Sequence, residues 1–251
     1  MITVEAYMKA MQTIAPFELA EPWDNPGLLI GGGDREVCGV VVALDATSAV
    51  IDEAVEQGAN LIVTHHPVIF SPLKSIGADS IPWKLVQAGI SVISAHTNLD
   101  IAEGGVNDAL AEQLGLTNVR PMNESGLGRV GELPAPMESA AFAALVKERL
   151  QAPAVRYHAI GDKVKTVALC GGSGGDYLAD AIQSGAQAYL TGECKHHIWL
   201  EAAEAGILLA EAGHYHTEAV IVEPLAKRLR DMLPQAVVHV SKRCTDGVSA
   251  L

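Results

Sequence analysis

Apolar positions along the chain follow two periods. Val4, Tyr7, Met8, Met11 and Ile14 recur at helical spacing, so the first segment reads as an amphipathic helix begun near Thr3 and stopped by Pro16. Residues 37–44 (VCGVVVAL) are a continuous apolar run ended by Asp45, the pattern of a strand buried on both faces. From there the two kinds of segment alternate. A helix is predicted over 49–57 and ended by Gly58, a strand over 60–64, a helix over 81–87 stopped by Gly89, a strand over 90–94, and a helix over 107–114 closed by Gly115. The second half repeats this grammar with a strand over 166–170, a helix over 177–183, a strand over 187–191, a helix over 198–205 and a strand over 207–210. Such alternation predicts an α/β fold.

The halves also correspond in detail. Gly58-Ala59 and Gly185-Ala186 lie the same distance ahead of strand-ending Thr64 and Thr191, so two β-α-β-α-β units describe the chain better than one long sheet. We expect two similar α/β lobes, 1–125 and 126–251, parted within 122–136, where Asn, Gly and Pro cluster without periodicity. A C-terminal strand can return to the first lobe.

Composition narrows the possibilities. With 49% hydrophobic and 19% charged residues the chain is that of a folded globular protein. Lys and Arg number 17 against 30 Asp and Glu, a formal charge of -13. That balance argues against a nucleic-acid partner, since phosphate neutralisation rests on Lys and Arg. The longest apolar run falls well short of the roughly 20 residues of a membrane span, and Glu5, Lys9 and Glu18 interrupt the window where a signal peptide keeps an apolar centre. Cys38, Cys170, Cys194 and Cys244 form no CxxC pair, which fits reduced thiols and a cytoplasmic location.

Candidate chemistry gathers where the predicted strands end, the place where open α/β sheets bind ligands. His65-His66 follows Thr64, and Gly192-Glu193 follows Thr191. Neighbouring residues on a strand face opposite ways, so the two histidines are suited to serving different ions of a close pair at the turn made by Pro67. His96-Thr-Asn-Leu-Asp100 and His214-Tyr-His-Thr-Glu218 each place an imidazole and a carboxylate on one face of a helical turn. Imidazole and carboxylate donors suit Zn, Mn or Fe(II) and not thiolate chemistry. His96 is also suited to orienting a neighbouring ligand; His216 is expected to face away from His214, and His158 and His239 to be structural. His196-His197 in GECKHH reads equally as support, substrate contact or solvated surface. CGGSGGD reads equally as a phosphate cradle or a tight turn, and the segment around Trp23 as a packed turn rather than a base-stacking contact.

WDNPGLLIG, LDAT, VTHHPVIF, HTNLD with GGVNDALAEQLGL, CGGSG, TGECKHH and GHYHTE, in this order, resemble the Nif-three-like dinuclear metal proteins, whose members carry the label GTP cyclohydrolase 1 type 2 homolog. The likeness runs from about Trp23 to the helix after Glu218 and is to the short form of the family. It implies two α/β lobes with a dinuclear metal cleft between them, and a homo-oligomeric, hexameric ring. Carried over by motif, the ligands of two divalent ions per subunit are His65, His66, Asp100, His214 and bridging Glu218. Pro224 is expected to kink or restart the helix after Glu218.

The function this implies is metal-dependent hydrolysis of a nucleotide-like small molecule, with Glu193, His196 and His197 as candidate acid–base groups. The alternatives are a metal-handling or metallochaperone protein and a regulatory scaffold ring without catalysis. Five protein ligands for two ions leave positions for water or substrate, which favours catalysis or exchange over a closed structural site.

Overall fold

The computed structural model describes residues 2–249. In chain order it begins α1 (Val4–Ile14), β1 (Gly27–Ile30), β2 (Val40–Ala43), α2 (Ser48–Glu56), β3 (Leu61–Thr64), α3 (Ile81–Ala88), β4 (Ser91–Ser94) and α4 (Thr97–Ile101). It continues α5 (Val106–Leu114), β5 (Thr117–Pro121), β6 (Arg129–Met137), α6 (Ser139–Leu150), β7 (Arg156–His158), β8 (Val164–Cys170), α7 (Leu178–Gln183) and β9 (Ala188–Thr191). The last elements are α8 (His196–Ala205), β10 (Leu208–Glu211), α9 (His214–Glu218), α10 (Val222–Met232) and β11 (Val238–Val240). Two compact units result, Met1–Glu103 with Val222–Thr245, and Gly104–Ile221 with Asp246–Leu251.

In the first unit the strands run in the order β1-β4-β3-β2-β11. β11, β2, β3 and β4 are mutually parallel and β1 pairs antiparallel with β4. Every residue of β2, β3 and β4 is buried, as a parallel sheet covered on both faces requires. Helix α1 contributes Tyr7 and Met11 to this core, and α3 contributes Leu85. Local signals set the helix ends. The Thr47 hydroxyl accepts the Val50 N–H at 3.3 Å to open α2, Ser80 does the same for α3, and Gly89 closes α3 in the left-handed region at φ 64°.

The second unit has the order β5-β6-β8-β9-β10-β7. β8, β9 and β10 are parallel, with β6 and β7 antiparallel at their flanks. Its core joins Leu110 and Leu114 of α5, Phe142 and Val146 of α6, and Leu169, Leu190 and Leu208 of the sheet.

The expected repeat is visible in the topology. β2-α2-β3-α3-β4-α4 and β8-α7-β9-α8-β10-α9 have the same order and the same parallel directions, each with an antiparallel strand beside the last. Thr64 pairs with Ala43 and Ser94, and Thr191 with Cys170 and Glu211. Two expectations need correction. The first unit closes at Glu103, not at residue 125, because α5 packs on β6 and β8 of the second sheet. The stretch 122–136 is not a linker, since most of it is β6. Pro134 and Pro136 hid that strand, yet both lie between Glu132 and Met137, where the ladder to β8 is interrupted and no N–H is needed. Helix α10 restarts at Val222 with Pro224 in its first turn, and β11 pairs with β2.

The return of the chain to the first unit is fastened by a buried carboxylate. Glu53 of α2 is 5% exposed, accepts from the Ser241 hydroxyl at 2.5 Å and from the Lys242 N–H at 3.0 Å. Burial works against its charge, but these hydrogen bonds, with a further one from Arg243 and the Arg243 charge, hold the carboxyl below its usual value of 4.5. A depressed native pKa contributes stability that is complete above the unfolded value and is lost as pH falls through the native one. Glu53→Gln should therefore destabilise the chain by about 1–3 kcal/mol at neutral pH, with the gap to wild type narrowing as pH drops below 4.5. Denaturant melts from neutral pH downward test this; a gap of constant size would count against it.

Candidate metal centre

The ends of β3 and β4 carry the histidines of the first unit. The ladder runs on past Thr64, with the His65 N–H donating to Ala43 at 3.3 Å and the His66 N–H to Leu44 at 3.0 Å. Two hydroxyls then fix the carbonyls that follow: Thr64 Oγ1 donates to His66 O and Ser94 Oγ to His65 O, both at 2.8 Å. Past the end of the pleat the rings of His65 and His66 lie side by side, with centroids 4.9 Å apart.

Each ring is tethered through Nδ1. His65, 1% exposed, donates to the Ala95 carbonyl at 2.9 Å; His66 meets Asp45 Oδ1 at 2.8 Å; His96 meets Asp24 Oδ1 at 2.8 Å. A carbonyl or carboxylate only accepts, so each neutral ring carries its proton on Nδ1 and its lone pair on Nε2, the tautomer a cation needs. Ligand atoms of His65, His66 and His96 all lie within 4.8 Å of one another, and His65 Nε2 is 3.6 Å from Asp100 Oδ1. His96 is thus itself the oriented residue and a member of the cluster.

Asp24 does the orienting. Its side chain is fully buried and also accepts from the Thr97 N–H at 2.9 Å and the Thr97 hydroxyl at 2.5 Å. Burial pushes its pKa up, but the hydrogen bonds from His96 and Thr97 outweigh that and hold the carboxyl far below the usual range. Asn98 completes the turn, accepting the His96 N–H at 2.9 Å and donating to Ala15 O at 2.7 Å. The segment around Trp23 is a packed turn held through Asp24 and Asn25, while the indole itself is 56% exposed. Asp24 and Asp45 escaped the sequence reading, because neither stands at a regular spacing from the histidine it holds.

In the second unit α9 places His214 and Glu218 one turn apart, with His214 Nε2 3.0 Å from Glu218 Oε2. Glu218 is buried. The CGGSGG loop approaches this pair so closely that a Cβ on Gly172, which sits at φ +61°, would collide with Glu218 Oε1 and lie 3.2 Å from His214 Nε2. Only glycine fits there. The same loop is a tight turn whose N–H groups at Gly171, Gly172 and Gly174 donate to Asn107, Thr217 and Thr191 at 2.9–3.0 Å.

Glu193 stands beside the pair, with Oε2 3.4 Å from His214 Nδ1 and accepting from the Ser173 hydroxyl at 3.0 Å. A cavity of ≈ 330 Å³ bordered by Glu193, His214 and Tyr215 opens next to it. His196 and His197 are exposed in the first turn of α8 and join no imidazole–carboxylate cluster among the described residues. His216 turns to Asp246, 3.2 Å away, while His158 and His239 lie on β7 and β11. No disulfide joins the cysteines. Burial and the neighbouring Glu211 push the Cys194 thiol up to about 12, which keeps it protonated and a poor nucleophile at neutral pH. The donors in both units are hard-to-borderline nitrogen and oxygen, which fit a divalent ion of the Zn, Mn or Fe(II) kind.

No helix among the described residues is long and apolar enough to cross a membrane. The chain is similar over nearly its whole length to proteins known from several bacteria. One from Streptomyces coelicolor named GTP cyclohydrolase 1 type 2 homolog is 38% identical over 262 residues, covering 96% of this chain and 92% of that one. A protein of the same name from Clostridium perfringens is 34% identical over 248 residues, with 94% and 95% covered. Among solved structures, a Bacillus cereus protein related to NIF3 superposes with a TM-score of 0.95 at 26% identity, covering 100% of this chain and 99% of its own. A Staphylococcus aureus hypothetical protein gives 0.93 at 34% identity, with 99% of each chain covered. The family model described as Duf34/NIF3 (NGG1p interacting factor 3) matches residues 2–246, and the chain belongs to that family.

Proposed function

We propose that the chain is a metal-dependent hydrolase acting on a nucleotide-like substrate, with two divalent ions held by His65, His66, Asp100, His214 and Glu218. One observation carries this reading. Three imidazoles bring their ligand atoms within 4.8 Å of one another, and all three are tethered at Nδ1 to an acceptor. Solvated surface histidines need no such tethers, whereas metal-ligating histidines have them almost always. When bound, the ions would supply Lewis acidity for attack of water on an electrophilic centre.

The remaining roles belong to the chain's own groups. His65 and His66 present ring nitrogens whose tautomer is already set, and Asp100 adds negative charge beside them. Glu218 is the carboxylate we assign to both ions. Glu193, supported by Ser173 at 3.0 Å, is the carboxylate best placed to carry a proton near His214, with His196 and His197 as further acid–base candidates from α8. The name borne by the Streptomyces and Clostridium relatives points to a purine nucleotide as the substrate class. We extend the proposal to a cytoplasmic homo-oligomer, a hexameric ring, as the family resemblance implies.

One feature favours a second reading. The side chains of His66 and His214 are 22% and 32% exposed, and ligands open to solvent suit metal exchange as well as substrate access. Turnover separates the two. The chain loaded with Zn, Mn or Fe(II) and presented with GTP, other nucleotides and phosphoesters should hydrolyse at least one of them. Two ions retained with no turnover across the set would leave metal handling, and a chain that retains no ion would overturn both readings.

Substitution gives sharper expectations. Glu218→Gln keeps the shape but removes the shared negative charge, and two cations close together repel strongly where little water screens them. Metal analysis should find at least one ion lost, with activity reduced by more than the roughly 10–100-fold that loss of an outer partner costs. Asp24→Asn removes only the outer partner of His96, which we place in the centre as a further imidazole beside the five ligands. Its metal affinity should fall by about 10–100-fold while the folded content by circular dichroism is kept; unchanged affinity in a competition titration would detach His96 from the centre.

A further inference from the structure

Two exposed aromatic side chains of the first unit are held side by side next to the histidine cluster. Trp23, from the turn before β1, is 56% exposed and Phe70, from the loop after His65-His66, is 51% exposed. Their centroids are 5.8 Å apart, with the planes tilted by 52°. Both also meet the edge of His96, each at 6.2 Å, with interplanar angles of 75° and 80°.

The placement is built into the loops. Asn25 Nδ2 donates to the Ile69 carbonyl at 2.6 Å, fastening the two loops at the residues that adjoin Phe70 and lie two from Trp23. Asp24, between Trp23 and Asn25, is anchored in turn to His96 and Thr97. The chain has few large aromatics, three Trp and three Phe, and Trp23 and Phe70 are each more than half exposed although burying such a ring is strongly favourable. Two such side chains fall far below the roughly 800 Å² per partner of a stable protein interface, but with planes tilted by 52° they suit a single planar ring, one stacking on its face while the other meets its edge. Every nucleobase has such a face, and stacking on aromatic side chains needs no particular edge pattern.

We propose that Trp23 and Phe70 form a platform that receives the planar heteroaromatic ring of a purine-type ligand beside His96. The inference rests on the reading of the histidine cluster as a metal site that substrate reaches, and it adds which part of the substrate is recognised and by what. Recognition is thereby divided: the ring goes to the aromatic pair, and the oxygen-rich remainder goes to the metal-bearing side.

The test uses the metal-loaded full-length chain, with guanosine as the ring probe and tripolyphosphate as the ringless one, followed by tryptophan fluorescence and calorimetry. Guanosine should quench wild-type emission. Its affinity should drop by roughly 5–150-fold in Trp23→Leu and in Phe70→Leu, the range expected for loss of one stacking partner, and most of it should be kept in Trp23→Phe. Tripolyphosphate affinity and metal content should not change. The proposal is overturned if wild type fails to bind guanosine, if both leucine variants bind it as wild type does, or if the two probes weaken together. A change in oligomer mass in the leucine variants would also overturn it, because a second copy of the chain would then be what covers the pair. The hydrolase reading fails separately: guanosine binding through Trp23 without turnover of any nucleotide keeps the platform and removes the hydrolase, while turnover undisturbed by Trp23→Leu does the reverse.

Discussion

The arrangement depends on where parallel strands stop. In a parallel ladder the ends of neighbouring strands are brought level by register, here Ala43 with Thr64 and Thr64 with Ser94, and in the other unit Cys170 with Thr191 and Thr191 with Glu211. The residues that follow are released from the ladder at the same height, with carbonyls still demanding donors. Threonine and serine hydroxyls meet that demand. Thr64 and Ser94 take the carbonyls of His66 and His65, and Thr191 donates to the Gly172 carbonyl at 3.2 Å while accepting from Gly174. The chemistry-bearing side chains are therefore placed by backbone that has already been satisfied.

Charge is what such a placement must then manage. Asp24 is a fully buried carboxylate, and an unpaired charge there would cost several kcal/mol. Three hydrogen bonds from His96 and Thr97 compensate it, and in doing so they fix one imidazole ring and the start of α4 together. Asp45 plays the same part for His66 from a half-exposed position.

Much of this was legible in the order of residues, and the reasons for the gaps are physical. The buried parallel strands were readable because hydrophobic runs bounded by Gly and Asp have few other interpretations, and the His/carboxylate pairs because a spacing of four has a definite meaning on a helical turn. β6 was not readable, because its prolines signal a loop unless it is known that the ladder is interrupted between Glu132 and Met137. β1 and β7 were missed because edge strands of three or four residues hold too few positions for a period to emerge. The division between the units at Glu103 depends on which sheet α5 packs against, which no local pattern encodes. Asp24 and Asp45 were invisible as functional residues because a tether is defined by proximity in space; a carboxylate at the end of an apolar run is the faint signal that marked Asp45.

The exposed indole of Trp23 follows from the same construction. The turn that carries it is committed through the next two residues, Asp24, whose oxygens are occupied by His96 and Thr97, and Asn25, which holds the Ile69 carbonyl. With the two residues that follow it anchored, Trp23 is held at the turn, and Phe70 is brought beside it by the same fastening at Ile69. A loop selected only for stability would place a polar residue at such a position, because large apolar surface in water gains nothing for the fold. Retaining two aromatic rings there, tilted toward each other and edge-on to a tethered histidine, is the arrangement expected where the surface is completed by something other than the chain itself.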